Sequence, residues 1–309
     1  MPTLVNAKVA EVEDQLRQQF STAVPFNHVV IDDFLEPAFA RQLLDNFPAF
    51  DRDLAVDESG KVGAKCVHED VRSLGDPYQA LDDLVASRQF LDLIETITGI
   101  EGLVYDPFYY GGGTHENLSG QDLDLHIDFN YHPKSNLHRR LNLILFLNDY
   151  WMDSWGGCLE LCQDPKQPDL AKVSIVPRFN RLAMFATTEH SWHGFLRILE
   201  GANSRSRKSF ALYYYSLDRP AEELEQPHST VYVNRPLPED IRNNPEISQD
   251  TLVELERLLS RRDQHIERLY QDIQRLMTEL DTYQRSWVLR YVRRGLRLTG
   301  EILTKLNLR

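Results

Sequence analysis

The sequence predicts a mainly β protein with flanking helices: a double-stranded β-helix, or jelly roll, followed by a C-terminal coiled-coil helix. Three observations predict it. Between Leu103 and Ser216, short apolar runs are separated by turn residues, as in the strands of a closed double sheet. One run, 123–130, alternates apolar and polar residues and so puts His126 and Asp128 side by side on one strand face. Beyond Arg219, prolines give way to a heptad repeat.

Taken in order, Val5, Val9, Val12 and Leu16 have helical spacing, which predicts an N-terminal helix over 1–24 that ends before Pro25. Val29-Val30-Ile31 reads as a short buried strand, and Pro37 opens a helix that Pro48 stops. The polar stretch Asp51 to Gly75 reads as a loop near the mouth of a site. Pro77 to Ile97 forms one or two helices closed by Gly99, of the kind that back one sheet of a jelly roll. Strand candidates then follow at Leu103–Tyr109, Leu123–Phe129, Leu141–Leu147, Leu159–Gln163, Val173–Val176, Arg181–Ala186, Trp192–Ile198 and Phe210–Ser216. Gly111-Gly112-Gly113 and Gly156-Gly157 are the strongest turns. The triple glycine lacks the Lys-Ser/Thr and helix of a phosphate loop.

Prolines 220, 227, 236, 238 and 245 mark a linker over 220–248. Over 249–286 the a and d positions carry Leu252, Leu255, Leu259, Ile266, Leu269, Ile273, Leu276, Leu280 and Tyr283, broken only by Arg262. That seam predicts a coiled-coil homo-oligomer, most simply a parallel dimer. In the tail, 287–309, helical projection gathers Val288, Val292, Leu296 and Leu303 on one side and Arg290, Arg293, Arg294 and Arg297 on the other. A basic amphipathic tail predicts peripheral contact with an anionic membrane surface; packing back on the domain is the alternative.

A net charge of −13 argues against nucleic acid as a partner, because phosphate neutralisation needs a basic surface. Three cysteines without Cys-x-x-Cys spacing indicate neither a disulfide framework nor a zinc site. With no leader pattern and no bilayer-length apolar run, the expected location is cytoplasmic, with the tail at the inner face of the membrane.

A His-x-Asp pair alone is weak, and downstream residues give it weight. Ser191-Trp192-His193-Gly194 supplies a second imidazole, so that His126, Asp128 and His193 make up a 2-His-1-carboxylate set that holds Fe(II) and leaves three positions open. His190 competes with His193. Arg207 and Ser209, two apart on one strand face, form a clamp for a carboxylate, with Arg205 as the competing cation.

In this order the residues resemble the Fe(II)/2-oxoglutarate-dependent dioxygenases, particularly the prolyl 4-hydroxylase-like branch, over a domain of 25–219. The resemblance implies Fe(II), 2-oxoglutarate and O2 as cofactor and co-substrates, with ascorbate as an accessory reductant. It implies His126, Asp128 and His193 as metal ligands and Arg207 with Ser209 on the distal carboxylate of 2-oxoglutarate. Tyr109 and Asn142 are candidates for further hydrogen bonds to its carboxylates. Because Asp128 is present, hydroxylation is implied rather than halogenation, with succinate and CO2 as co-products. The primary substrate is left open between a protein side chain and a surface-glycan or lipid-linked sugar. The alternative is a coiled-coil interaction protein whose jelly roll senses 2-oxoglutarate or iron.

Overall fold

The structure, a computed structural model, describes residues 4–55, 65–167, 170–199, 205–233, 241 and 243–285. The chain divides into two compact units: Met1–Leu224 with Thr230–Val233, and Glu225–Ser229 with Asn234–Arg309.

In the first unit, Asn6 caps α1 (Ala7–Glu11) by accepting the Lys8 N–H, and the chain breaks at Val12 before α2 (Glu13–Thr22). Val9, Leu16 and Phe20 are buried in the same core as the helices further along the chain. The two N-terminal helices therefore pack into this unit. Three more helices follow: α3 (Pro37–Asp45), begun by its proline, α4 (Asp76–Ala86) and α5 (Arg88–Thr98). Ser87 caps α5 through Phe90, and Gly99, left-handed at φ 69°, closes it by donating its N–H to Glu95 O.

Two antiparallel sheets carry the rest. The larger contains β1 (His28–Ile31), β2 (Cys66–His68), β3 (Val104–Tyr105), β4 (Gly113–Asn117), β6 (His138–Phe146), β9 (Arg181–Ala186) and β11 (Arg207–Ser216). Its order is β1-β9-β6-β11-β4-β2, with β3 on the far end of β11. The smaller contains β5 (Leu123–Ile127), β7 (Leu159–Cys162), β8 (Lys172–Ile175), β10 (Trp192–Phe195) and β12 (Val231–Tyr232), in the order β12-β5-β10-β7-β8. This strand-jumping order is that of a double-sheet jelly roll.

Period-two alternation assigns the two faces of the large sheet. Leu141, Leu143, Leu145, Leu212 and Tyr214 face the helices and form the main core. The alternate residues, among them Asn142, Ile144, Arg207, Ser209, Ala211 and Tyr213, face the small sheet and line a cavity of about 180 Å³. Polarity on a buried inner face is what a binding site needs and what a packed core avoids.

Four strands differ from expectation. β2 arises within the expected 51–75 loop, and β4 follows directly from the triple glycine. β4 is polar yet buried along its whole length, since it lies between β11 and β2. β12 lies inside the proline-rich 220–248 stretch, where an edge position lets a two-residue strand form. β3 is shorter than the expected 103–109 strand.

In the second unit, α6 (Gln249–Arg285) is one 37-residue helix. Leu269, Ile273, Leu276 and Leu280, at heptad spacing, are all exposed on it. The expected 287–309 tail lies outside the described residues. Among the described residues no helix is long and apolar enough to cross a membrane.

Candidate active site

His126 and His193 come from adjacent strands and face each other directly in the β5–β10 register. Their ring centroids are 4.3 Å apart. Each imidazole places Nδ1 on a main-chain carbonyl two residues back: His126 on Asp124 O at 2.8 Å and His193 on Ser191 O at 2.9 Å. A carbonyl only accepts, so Nδ1 carries the proton in both rings and both Nε2 lone pairs are free to bind a metal. Those nitrogens lie near Asp128, His126 Nε2 at 3.7 Å from Oδ1 and His193 Nε2 at 3.3 Å from Oδ2. The three ligand atoms lie within 4.8 Å of one another. Burial, and after it His193, drives the His126 pKa down to about 3, so this ring is neutral. The close approach of the strands requires Gly194, where a Cβ would sit 2.5 Å from Leu123 O and 2.8 Å from Asp124 O.

Asp128 is held from behind. Asn142 Nδ2 donates to Oδ2 at 2.7 Å, and Arg139 Nη2 stands 2.9 Å from the same oxygen. Arg139 is itself fixed: Nε donates to Asn142 Oδ1 at 3.0 Å, and the guanidinium lies 3.6 Å over Tyr213 and 4.5 Å over Phe129. Burial would raise the Asp128 pKa, but Arg139 and the imidazoles hold it well below the usual carboxylate range. With Oδ2 occupied, Oδ1 is the oxygen left for an ion. Two nitrogens from buried histidines and one oxygen of the half-buried Asp128 fit Fe(II).

Arg207 also lines the cavity. Its Nε donates to Gly157 O at 2.7 Å, and its guanidinium stands over Phe195 and Phe146. Among the described residues no carboxylate pairs with it. Burial lowers its pKa to about 10, so it remains charged at neutral pH. A buried, unmatched guanidinium is costly until an anion arrives. Ser209, on the same strand face, is buried and also lines the cavity.

Residues 112–215 match the model of the 2OG-Fe(II) oxygenase superfamily. Over this segment the chain is similar to Fe(II)/2-oxoglutarate oxygenase domains. Domains of this superfamily take Fe(II) and 2-oxoglutarate. The chain is 27% identical over 262 residues to the prolyl 3-hydroxylase OGFOD1 of Mus musculus, covering 78% of this chain and 43% of the relative. It is 35% identical over 91 residues to prolyl 3-hydroxylase OGFOD1 of Xenopus laevis, covering 29% and 18%. The chain thus spans less than half the length of these curated relatives. A Phytophthora capsici prolyl 4-hydroxylase structure aligns at 20% identity and a TM-score of 0.47, covering 95% of this chain and 90% of that one.

Two residues expected at the co-substrate sit differently. Tyr109 does not line the cavity; its hydroxyl donates to Asp82 Oδ1 at 2.8 Å, behind the large sheet. Asn142 does line it, but its amide is already engaged, donating to Asp128 and accepting from Arg139. The competing residues lie elsewhere. His190 is exposed in a turn, and Arg205 stands over Tyr150 and Trp155. Trp151 is a buried loop anchor whose Nε1 donates to Gly156 O.

The cavity also holds residues that sequence reasoning passed over. Tyr213 follows Ser209 at an even interval and was legible by periodicity; its hydroxyl donates to Gly111 O at 3.0 Å. His115 is buried opposite Ser209, and among the described residues its Nε2 has no hydrogen-bond partner. Tyr232 reaches the site on β12, with its ring 5.3 Å from that of His126. Lys65 enters from just before β2. Neither Tyr232 nor Lys65 carries a local signal, because the pairing of its strand sets its position.

Proposed function

We propose that the chain is an Fe(II)- and 2-oxoglutarate-dependent dioxygenase that hydroxylates its substrate with release of succinate and CO2. The observation that carries this reading is the convergence of two Nε2 lone pairs and Asp128 Oδ1 in a cavity that also holds an unmatched Arg207. His126, Asp128 and His193 hold the metal; Arg207 and Ser209 take the distal carboxylate of 2-oxoglutarate. When bound, the metal and co-substrate supply oxidative decarboxylation coupled to insertion of one oxygen atom into the substrate. The protein's residues orient and shield: carbonyls fix both imidazoles, Arg139 and Asn142 fix Asp128, and Phe195 and Phe146 keep water from Arg207.

The curated relatives are named prolyl 3-hydroxylases. A protein side chain is therefore the first substrate class to test, and a surface-glycan or lipid-linked sugar the second. The experiment is succinate release by the full chain with Fe(II) and 2-oxoglutarate. An untargeted search for oxygen-atom mass gain, comparing the parent strain with one carrying His126→Ala, accompanies it. Turnover lost in His126→Ala, together with mass gains confined to the parent, is expected. Tight binding of iron and 2-oxoglutarate with no succinate under any condition would favour a sensing module.

We also propose that α6 pairs two copies of the chain. Four exposed leucine and isoleucine side chains at heptad spacing support it, since a lone helix gains nothing from such a seam in water. Sedimentation equilibrium is expected to give a dimer, and a monomeric full chain would remove the pairing.

A further inference from the structure

The register of the large sheet places three polar side chains in one row on its inner face. Arg207 pairs with Asn117 across β11 and β4, and Cys66 pairs with Glu116 across β4 and β2. Lys65 therefore stands opposite Asn117, and all three residues line the cavity. Burial lowers the Lys65 pKa to about 8, with Asp128 opposing and Arg139 and Arg207 adding to the shift. The register and the shared lining place the ammonium in the cavity, across Asn117 from Arg207. Among the described residues no carboxylate forms an ion pair with it. Glu69, the other acid that acts on it, accepts the Gly111 N–H at 2.8 Å.

The described lining of the cavity thus holds three cations, Lys65, Arg139 and Arg207, against one carboxylate, Asp128. Arg139 is committed to Asp128. On the oxygenase reading, Arg207 matches one carboxylate of 2-oxoglutarate, and the divalent ion outweighs the other. Lys65 adds to an excess of positive charge, and unmatched charge drawn out of water is costly. A neutral substrate would leave that excess in place, whereas an anion would cancel part of it. An ammonium on a flexible stem provides a compact charge without the planar fork that Arg207 presents, so it suits a carboxylate or a tetrahedral phosphate alike.

We propose that the substrate of this domain carries an anionic group, a carboxylate or a phosphate, and that Lys65 binds that group within the cavity. The proposal rests on the oxygenase reading, so the test begins by separating the two. Full-length protein is loaded with Ni(II) and 2-oxoglutarate, and their binding is measured by titration calorimetry. Failure of wild type to bind them would sink the oxygenase reading, and the proposal with it.

With both bound and Arg207 occupied, inorganic phosphate and acetate are titrated in turn into wild type, Lys65→Met and Lys65→Arg. Wild type is expected to bind at least one of these anions. Lys65→Met is expected to bind it at least tenfold more weakly while keeping 2-oxoglutarate affinity within about twofold, and Lys65→Arg is expected to retain most of the binding. Which of the two anions binds identifies the group. Absence of anion binding by wild type, or equal binding by Lys65→Met, would overturn the proposal. So would a loss confined to 2-oxoglutarate, which would place Lys65 in the co-substrate clamp. Thermal unfolding of Lys65→Met and the retained binding of Lys65→Arg separate loss of charge from loss of fold.

Discussion

Substituting His126, Asp128 or His193 by Ala is expected to weaken Fe(II) retention by roughly a hundredfold or more, since even groups behind metal ligands are worth about 10–100-fold. Turnover of 2-oxoglutarate should disappear with the metal. The geometry accounts for the size of the effect: each of the three supplies one of the atoms that lie within 4.8 Å of one another, and the described residues hold no other such group. His190→Ala is expected to keep iron within about twofold, because that side chain is exposed in the turn before β10. Iron quantitation after desalting, with succinate assayed in parallel, measures both. Full turnover in His193→Ala combined with loss in His190→Ala would reverse the assignment.

Removing the Arg207 guanidinium should leave iron in place and raise the 2-oxoglutarate requirement severely. Truncating one partner of a buried, charge-assisted pair costs roughly 2–5 kcal/mol, which is about thirtyfold or more in apparent affinity. Arg207→Lys should recover only part of this, since an ammonium lacks the two-pronged geometry and would lose the 2.7 Å bond to Gly157 O. Calorimetric titration of Ni(II)-loaded protein with 2-oxoglutarate gives the affinity directly. An unchanged value in Arg207→Ala would move the clamp to another cation. Arg205 stands over Tyr150 and Trp155 and is not among the residues that line the cavity.

The sequence carried what periodicity encodes. His126 with Asp128, and Arg207 with Ser209, are pairs two apart on one strand, so their shared faces follow from the strand alone. The strand at Gly113–Asn117 was illegible because its residues are polar and its burial comes from neighbours far along the chain. Tyr109 misled for a different reason: it lies past the end of β3 with φ 47°, where alternation no longer says which way a side chain points. Asn142 had the right face and the wrong partner. Nothing in its local sequence announces that Arg139, three residues earlier, also turns inward to bind the same amide and the same carboxylate.

The short strand β12 bears on where this domain ends. Its pairing with β5 matches Tyr232 to His126 and Val231 to Ile127, and the Val233 N–H adds a bond to Leu125 O at 2.9 Å. A chain cut at Arg219, where the composition changes, would lose all of these. The strand that presents His126 would then become the rim of its sheet, with unsatisfied amides and carbonyls open to solvent and to other chains. Any excised version of the domain therefore has to run through Val233 to keep that rim covered.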